Sequence, residues 1–212
     1  MPLAPLPWEQ PGYPALEGLY ETAKLFLTKP TEAFQRMSIS GDLGRPLGYA
    51  VILGWVGIIA GQAYNIALRG TMRNMLAPFS HGEDLAFGLG FNIAIMVVAP
   101  ILILLGVFIG SAILHLFLML VGGNNNGFVT TTRVVCYATT IQIFQIVPLC
   151  GGLIGAAWGV VLEIIGIAAA HRTTQGKAAA AVLLPMVLCC VCLAILAVAF
   201  GAAILAALGK LR

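Results

Sequence analysis

The feature that most constrains this chain is a long stretch without charge, because residues 85–121 contain no Asp, Glu, Lys or Arg. An α-helix needs only about 20 apolar residues to cross the hydrocarbon core of a bilayer. Over all 212 residues, apolar types make up 60% and charged types 9%, whereas soluble domains carry about 25% charged residues. The sequence therefore predicts an integral membrane protein whose apolar surface is partly covered by lipid.

Other apolar segments divide the chain into membrane crossings. The predicted spans are residues 46–68, 91–121 and 128–147, a fourth that ends near 170, and 178–208. Pro100 predicts a kink or restart in the second span. Residues 134–162 contain no acidic side chain, Lys or Arg, which fits either two spans or one span with a re-entrant segment. The corner at Pro148 and Gly151 favours two spans. The predicted fold class is all-α, a polytopic transmembrane bundle of about five helices with N-terminal amphipathic interfacial helices.

The region before the first span has two predicted parts. Five prolines in residues 1–15 predict a flexible, extended tail, because proline removes backbone donors and disfavours helix. Residues 16–45 combine helical spacing of apolar side chains with balanced charges, and Pro30 interrupts the pattern. Two short amphipathic helices on the membrane surface are predicted there. Residues 46–212 then form the five-span membrane domain.

The distribution of basic residues predicts the orientation of the bundle. Short flanks that are rich in Lys and Arg stay on the cytoplasmic side. With five spans, one side holds seven basic residues and the other holds four, so the N-terminus and the 171–177 loop are predicted to be cytoplasmic. The seven are Lys24, Lys29, Arg36, Arg45, Arg133, Arg172 and Lys177, and the four are Arg69, Arg73, Lys210 and Arg212.

Three ionisable residues within the spans form the candidate site. His115, Arg133 and Glu163 all fall about 8–11 Å from the same end of their spans, at 1.5 Å per helical residue. Ionisable groups inside a membrane usually face a partner or a cavity. We therefore expect a polar cluster in which Arg133 and Glu163 form a salt bridge. Three roles remain open: a structural ion pair, a proton or ligand site, or extension of Arg133 to the membrane surface.

Glycines at GxxxG spacing predict close helix packing, because small residues let helix backbones approach in lipid. This packing serves either the bundle itself or a homodimer. The residues are Gly57, Gly61, Gly106, Gly110, Gly151, Gly155 and Gly159.

No enzyme or metal motif is recognisable. P-loop, Rossmann, GxSxG and HExxH patterns are absent, so no catalytic residue and no cofactor is predicted. The CCxC at 189–192 lies in an apolar helix, where Cys behaves as a small apolar residue. His81, Glu83 and Asp84 are expected to be a solvated loop rather than metal ligands. Basic residues form no stripe with aromatics, which argues against nucleic acid as a partner.

Several stretches resemble the Yip1-domain family of five-span membrane proteins. They are LTKPTEAFQRM (27–37), SAILHLFLMLVGG (111–123), RVVCYATTIQIFQIVP (133–148) and WGVVLEIIGIAAAHRTTQGKAAAAVLLP (158–185). The family has a His before a Gly–Gly turn, matched by His115 and Gly122. It also has a Tyr–Ala pair in the third span, matched by Tyr137, and a closing run that Gly166 and His171 match.

The resemblance implies five spans and a cytosolic N-terminus. In eukaryotes such proteins act in Golgi and endoplasmic reticulum traffic and associate with Rab GTPases. The short N-terminal arm is closer to the prokaryotic branch, which implies the bacterial inner membrane and no Rab partner. We expect a non-enzymatic membrane scaffold or adaptor with membrane lipids, protein partners or a second copy as its contacts. The alternatives are a small transporter or channel that uses the polar cluster, and an intramembrane enzyme. The sparse deep polar residues and the lack of an internal repeat favour the scaffold.

Overall fold

A computed structural model describes residues 3–76 and 85–209. Within these ranges it describes the backbone alone for residues 65, 68–76, 85–89 and 202–209. Seven α-helices occur in this described part. They are α1 (Ala15–Thr28), α2 (Pro30–Arg36), α3 (Gly44–Leu76), α4 (Leu85–Leu120), α5 (Gly127–Ala138), α6 (Gly151–Ala170) and α7 (Gln175–Gly209). Two 3-10 segments, Pro7–Glu9 and Thr139–Ile146, complete the described secondary structure. The all-α fold class is confirmed.

Within the described residues, four helices are long and apolar enough to cross a bilayer. These segments are Gly44–Tyr64 of α3, Gly90–Leu120 of α4, Gly151–Ala170 of α6 and Gln175–Gly201 of α7. Pro100 lies inside α4 without ending it. From residue 186 to 201, α7 is exposed on all sides, and its apolar side chains there need lipid around them. The chain is therefore an integral membrane protein.

Besides these four segments, α5 and the 3-10 segment Thr139–Ile146 together form a further element of membrane-spanning length. At one end Asn126 Nδ2 donates to the carbonyl of Ala170, 2.6 Å away. At the other end a Cβ on Gly151 would lie 1.9 Å from the Phe144 carbonyl oxygen. The combined length is about 34 Å, at 1.5 Å per α-helical and 2.0 Å per 3-10 residue. This element therefore runs the whole height of α6, which supports the predicted hairpin of two spans over a re-entrant segment.

The N-terminal tail is packed against the bundle, so the prediction of a flexible tail needs correction. Leu6 is fully buried and Trp8 is 8% exposed. The Trp8 backbone N–H donates to Thr22 Oγ1 (3.0 Å), and its indole Nε1 donates to the Arg45 carbonyl (2.6 Å). The prolines lack a backbone N–H, so the segment needs fewer backbone hydrogen bonds. The burial of Leu6 and of the Trp8 indole favours the attachment of the segment to the bundle.

The two predicted N-terminal helices are present as α1 and α2, with the break at Lys29 before Pro30. They dock through aromatic side chains rather than through the whole predicted apolar face. The Phe26 ring centre lies 4.8 Å from that of Phe34 and 5.1 Å from that of Tyr137. The other side of α1 stays exposed, with Leu16 at 84% and Tyr20 at 66%.

Only some of the predicted packing glycines lie at close contacts. Gly151, Gly155 and Gly159 pack on the 3-10 segment, as does Gly57 from α3, because a Cβ on any of them would approach its atoms within 3.2 Å. Among the described residues, a Cβ on the other three would meet nothing within 4 Å, contrary to the prediction of packing inside the bundle. GxxxG spacing places two glycines on one face but does not say which face turns inward. The three are Gly61, Gly106 and Gly110.

Candidate functional site

Two groups of hydrogen-bonded polar residues lie at one end of the bundle, where the N-terminal segment meets two helix connections. Thr130 Oγ1 donates to the Ile39 carbonyl (2.8 Å), which ties the start of α5 to the loop before α3. Asn125 Nδ2 donates to the His171 carbonyl (2.9 Å). The N-terminal segment, Arg133 and the loop after α6 therefore share one end of the bundle.

A buried ion pair lies at this end. Arg133 Nη1 donates to Glu9 Oε1 over 2.9 Å, and the two side chains are 4% and 9% exposed. The same Glu9 oxygen accepts the Tyr137 hydroxyl (2.8 Å), and Glu9 Oε2 accepts the Ser38 N–H (3.0 Å). Arg133 Nη2 also donates to the Asp42 carbonyl. We call Glu9, Ser38, Arg133 and Tyr137 the Glu9 network.

This pairing corrects the prediction that Arg133 forms a salt bridge with Glu163. Arg133 instead binds a carboxylate of the N-terminal segment, which precedes the first span. Glu163 is half-buried in α6, and within the described residues no hydrogen bond or ion pair reaches its carboxyl group. A guanidinium at the end of a span reaches an interfacial carboxylate more cheaply than one inside the hydrocarbon layer.

His115 belongs to a second network, built around a shared hydroxyl. His115 Nδ1 lies 2.8 Å from Thr131 Oγ1, and His171 Nε2 lies 3.0 Å from the same oxygen. Asn124 Nδ2 is 3.3 Å from His115 Nε2, and the Asn126 N–H donates to His171 Nδ1 over 3.3 Å. We call these five residues the histidine network.

The partners assign the protons of the histidine network. Because His171 Nδ1 accepts an amide proton, the neutral ring carries its own proton at Nε2 and donates it to Thr131. Asn124 likewise donates to His115 Nε2, which leaves the His115 proton on Nδ1. Burial, and then the nearby His115, lower the pKa of His171 from 6.5 to about 4. The geometry thus holds His171 neutral and couples α4, α5 and the loop after α6.

Sequence reasoning missed most partners of these networks. Glu9 was assigned to a tail, although an acidic residue beside Trp8 and between prolines signals a fixed interfacial segment. The run Asn124–Asn126 is not among the sequence candidates, although such side chains commonly bind the backbone at turns and helix ends. Here Asn126 caps the last carbonyl of α6, and Thr131 bridges two histidines.

A polar notch of about 270 Å³ lies nearer the other end of the bundle. Gln62 of α3 faces Gln142 and Gln145 of the 3-10 segment across it, and Gly57 forms part of its wall. Amide groups inside a bundle can form hydrogen bonds with a small polar solute in place of water.

Two groups of sequence candidates need separate mention. His81, Glu83 and Asp84 lie outside the described residues. Cys189, Cys190 and Cys192 are exposed on the lipid-facing part of α7.

The apolar crossings, the buried ionic end and the docked interfacial helices together define a polytopic α-helical membrane protein. The family model of the Yip1 domain matches residues 24–208, which is nearly the whole chain. The chain therefore belongs to the Yip1-domain family. No curated protein and no solved structure matches it significantly.

Proposed function

We propose that this protein is a non-enzymatic membrane scaffold or adaptor, in which the N-terminal segment is a fixed platform on the bundle. The observation that carries the proposal is the Glu9 network. A buried ion pair with three hydrogen bonds on one carboxylate fixes geometry better than apolar packing alone. A rigid platform lowers the entropy lost when a partner binds, which is what an adaptor needs.

The exposed side of α1 supplies the surface for a partner. Leu16 and Tyr20 stay exposed although Phe26, about two to three turns further along, is fully buried. Apolar and aromatic side chains on a rigid helix are typical anchors of protein and lipid contacts. The proposed contacts are membrane lipids, protein partners and a second copy of the chain, without nucleic acid.

Photo-cross-linking in native membranes tests the scaffold. A photoreactive residue at Leu16 or Tyr20 should capture the same partner, and one at the buried Phe26 should capture only this chain. Glu9→Gln should reduce capture, because the platform loosens, whereas Glu17→Gln on exposed α1 should not. The scaffold proposal is wrong if adducts at Leu16 and Tyr20 are random lipid and unaffected by Glu9→Gln.

A second candidate function is a small transporter or channel. Two observations favour it: the carboxyl group of Glu163, which no described residue bonds, and the polar notch beside Gln142. Proteoliposomes that contain a pH-sensitive dye distinguish the two functions. A transporter gives proton or ion flux that Glu163→Gln abolishes. With a scaffold, the wild type and Glu163→Gln both show only the passive leak of protein-free vesicles.

We propose that the N-terminus lies on the cytoplasmic side of the membrane. We also propose that this membrane is the inner membrane of a bacterium and that the chain is in the prokaryotic branch of the family. The seven-to-four distribution of basic residues supports it. A membrane-impermeant thiol reagent, applied from outside to a background without native cysteines, should label a cysteine at Ser80 and spare one at Thr174. Labelling at Thr174 alone would reverse the orientation.

A further inference from the structure

A cavity of about 470 Å³ lies between the N-terminal segment, the loop after α2 and the start of α3. Sites for small ligands usually enclose about 300–1,000 Å³. Ionisable side chains from several parts of the chain line this cavity. They are Glu9, Arg36, Asp42, Arg45 and Arg133. Such a lining selects a ligand by charge rather than by apolar contact.

The arginines of the cavity keep unused donors. Neither Arg36 nor Arg133 has an acceptor for its Nε–H within the described residues, and the Arg133 side chain is only 4% exposed. Arg45 donates through Nη1 to the Trp8 carbonyl (3.0 Å), and its guanidinium lies 5.9 Å from the centre of the Trp8 ring. Each guanidinium carries five N–H donors, and phosphate oxygens are the acceptors that suit several guanidinium groups at once.

The two carboxylates of the cavity differ in the number of hydrogen bonds that they accept within the protein. Both oxygens of Glu9 accept hydrogen bonds in the Glu9 network. The carboxylate of Asp42 receives none from the described residues, although the Asp42 backbone carbonyl accepts from Arg133. Asp42 is exposed and lines the cavity. It is therefore available to a cationic donor next to a bound phosphate.

The cavity lies at the level of the membrane boundary. The apolar span of α3 begins at Gly44, so Asp42 lies two residues before it and Arg45 is in its first turn. Lipid headgroups occupy this level of the bilayer.

We propose that the cavity binds the headgroup of phosphatidylethanolamine, a phosphodiester with a primary ammonium group. The phosphate contacts Arg36 and Arg45, and the ammonium donates to Asp42. Glu9 neutralises Arg133, and Glu32 of α2 pairs with Arg36 through one of its terminal nitrogens. Arg45 and Asp42 are left as one cation and one anion, which suits a zwitterion. Phosphatidylcholine has no N–H to donate, and phosphatidylglycerol has no cation for Asp42. The site rests on the proposed scaffold function and deepens it by naming a lipid class.

Native mass spectrometry of the full-length protein in mild detergent tests this site. Short-chain phosphatidylethanolamine, phosphatidylcholine and phosphatidylglycerol are added at equal concentration, and lipid adducts are counted. The wild type should bind phosphatidylethanolamine most. Arg45→Gln should weaken all three by about tenfold, the effect of losing one charge-assisted contact. Asp42→Asn should remove only the preference for phosphatidylethanolamine over phosphatidylcholine.

Matched controls change the same charges elsewhere on the same end. Lys24→Gln and Glu17→Gln affect exposed residues of α1 and should leave all adducts unchanged. Equal binding of the three lipids, or a preference for phosphatidylglycerol, would overturn the proposal. So would full displacement by water-soluble phosphoethanolamine at equal concentration, since the ligand would then come from solution. Photo-cross-linking at Leu16 in Asp42→Asn separates the two proposals. If this variant still captures the partner, a negative lipid result overturns the lipid site and leaves the scaffold in place.

Discussion

The ion pair between Glu9 and Arg133 permits a quantitative test. Glu9→Gln leaves a guanidinium that is 4% exposed without its counter-charge, and Arg133→Gln leaves a carboxylate that is 9% exposed. Removing one partner of a buried pair typically costs about 3–5 kcal/mol, because the other charge stays buried. Arg133→Gln should cost less than Glu9→Gln, since Tyr137 and Ser38 still donate to the carboxylate.

The double variant should therefore lose less stability than the sum of the two single variants, by at least about 1.5 kcal/mol. Equilibrium unfolding in mixed micelles with a rising fraction of denaturing detergent gives the four free energies. The pair of Lys29 and Glu32, 3.7 Å apart with the Lys29 side chain 68% exposed, is the control, and its coupling should be about 0–1 kcal/mol.

A second cycle separates this interpretation from the one that the sequence suggested. Arg133→Gln and Glu163→Gln share no bonded partner, so their losses should add within about 0.5 kcal/mol. Additive losses for Glu9 and Arg133, together with coupling between Arg133 and Glu163, would refute the reasoning.

Three further predictions concern packing and the histidine network. Gly151→Ala should destabilise the bundle by about 1–3 kcal/mol, because its Cβ would lie 1.9 Å from a backbone oxygen; Gly110→Ala, with nothing within 4 Å, should be neutral in the same unfolding assay. Thr131→Val should cost about 1–3 kcal/mol, because two buried imidazole donors lose their acceptor; Thr131→Ser should restore stability. The folded pKa of His171 is lowered to about 4 from 6.5, so the unfolded state binds more protons between these values. Stability should fall as the pH drops from 6.5 to about 4, and His171→Gln should flatten that slope; a slope that persists in this variant would contradict the assignment.

The sequence predicted the features that depend on local composition. Apolar length located the spans of α3, α4, α6 and α7, and Pro30 located the break between α1 and α2, because both features depend on a short stretch of chain. The hydrogen bond from Asn125 to the His171 carbonyl places the connections after α4 and α6 at one end of the bundle. The orientation that the basic residues indicate stays a prediction.

The candidate site was predicted only in part, for a physical reason. Depth along each helix correctly placed His115 and Arg133 near one end. Depth does not fix rotation about the helix axis, so Glu163 was wrongly chosen as the partner of Arg133. The true partner, Glu9, is 124 positions away in the sequence, and only the docking of Trp8 and Leu6 brings it there. The rotation of a helix about its axis also determines which of its glycines face a neighbouring element.

Hydrogen exchange of the segment 3–14 in lipid nanodiscs tests whether the N-terminal segment is a fixed part of the bundle. The Trp8 amide donates to buried Thr22, and the Glu9 amide donates to the Leu6 carbonyl. Both should exchange many times more slowly than a free peptide, and Glu9→Gln should remove most of this protection. Exchange of these amides at the rate of an unstructured chain, in the wild type, would contradict the docked platform.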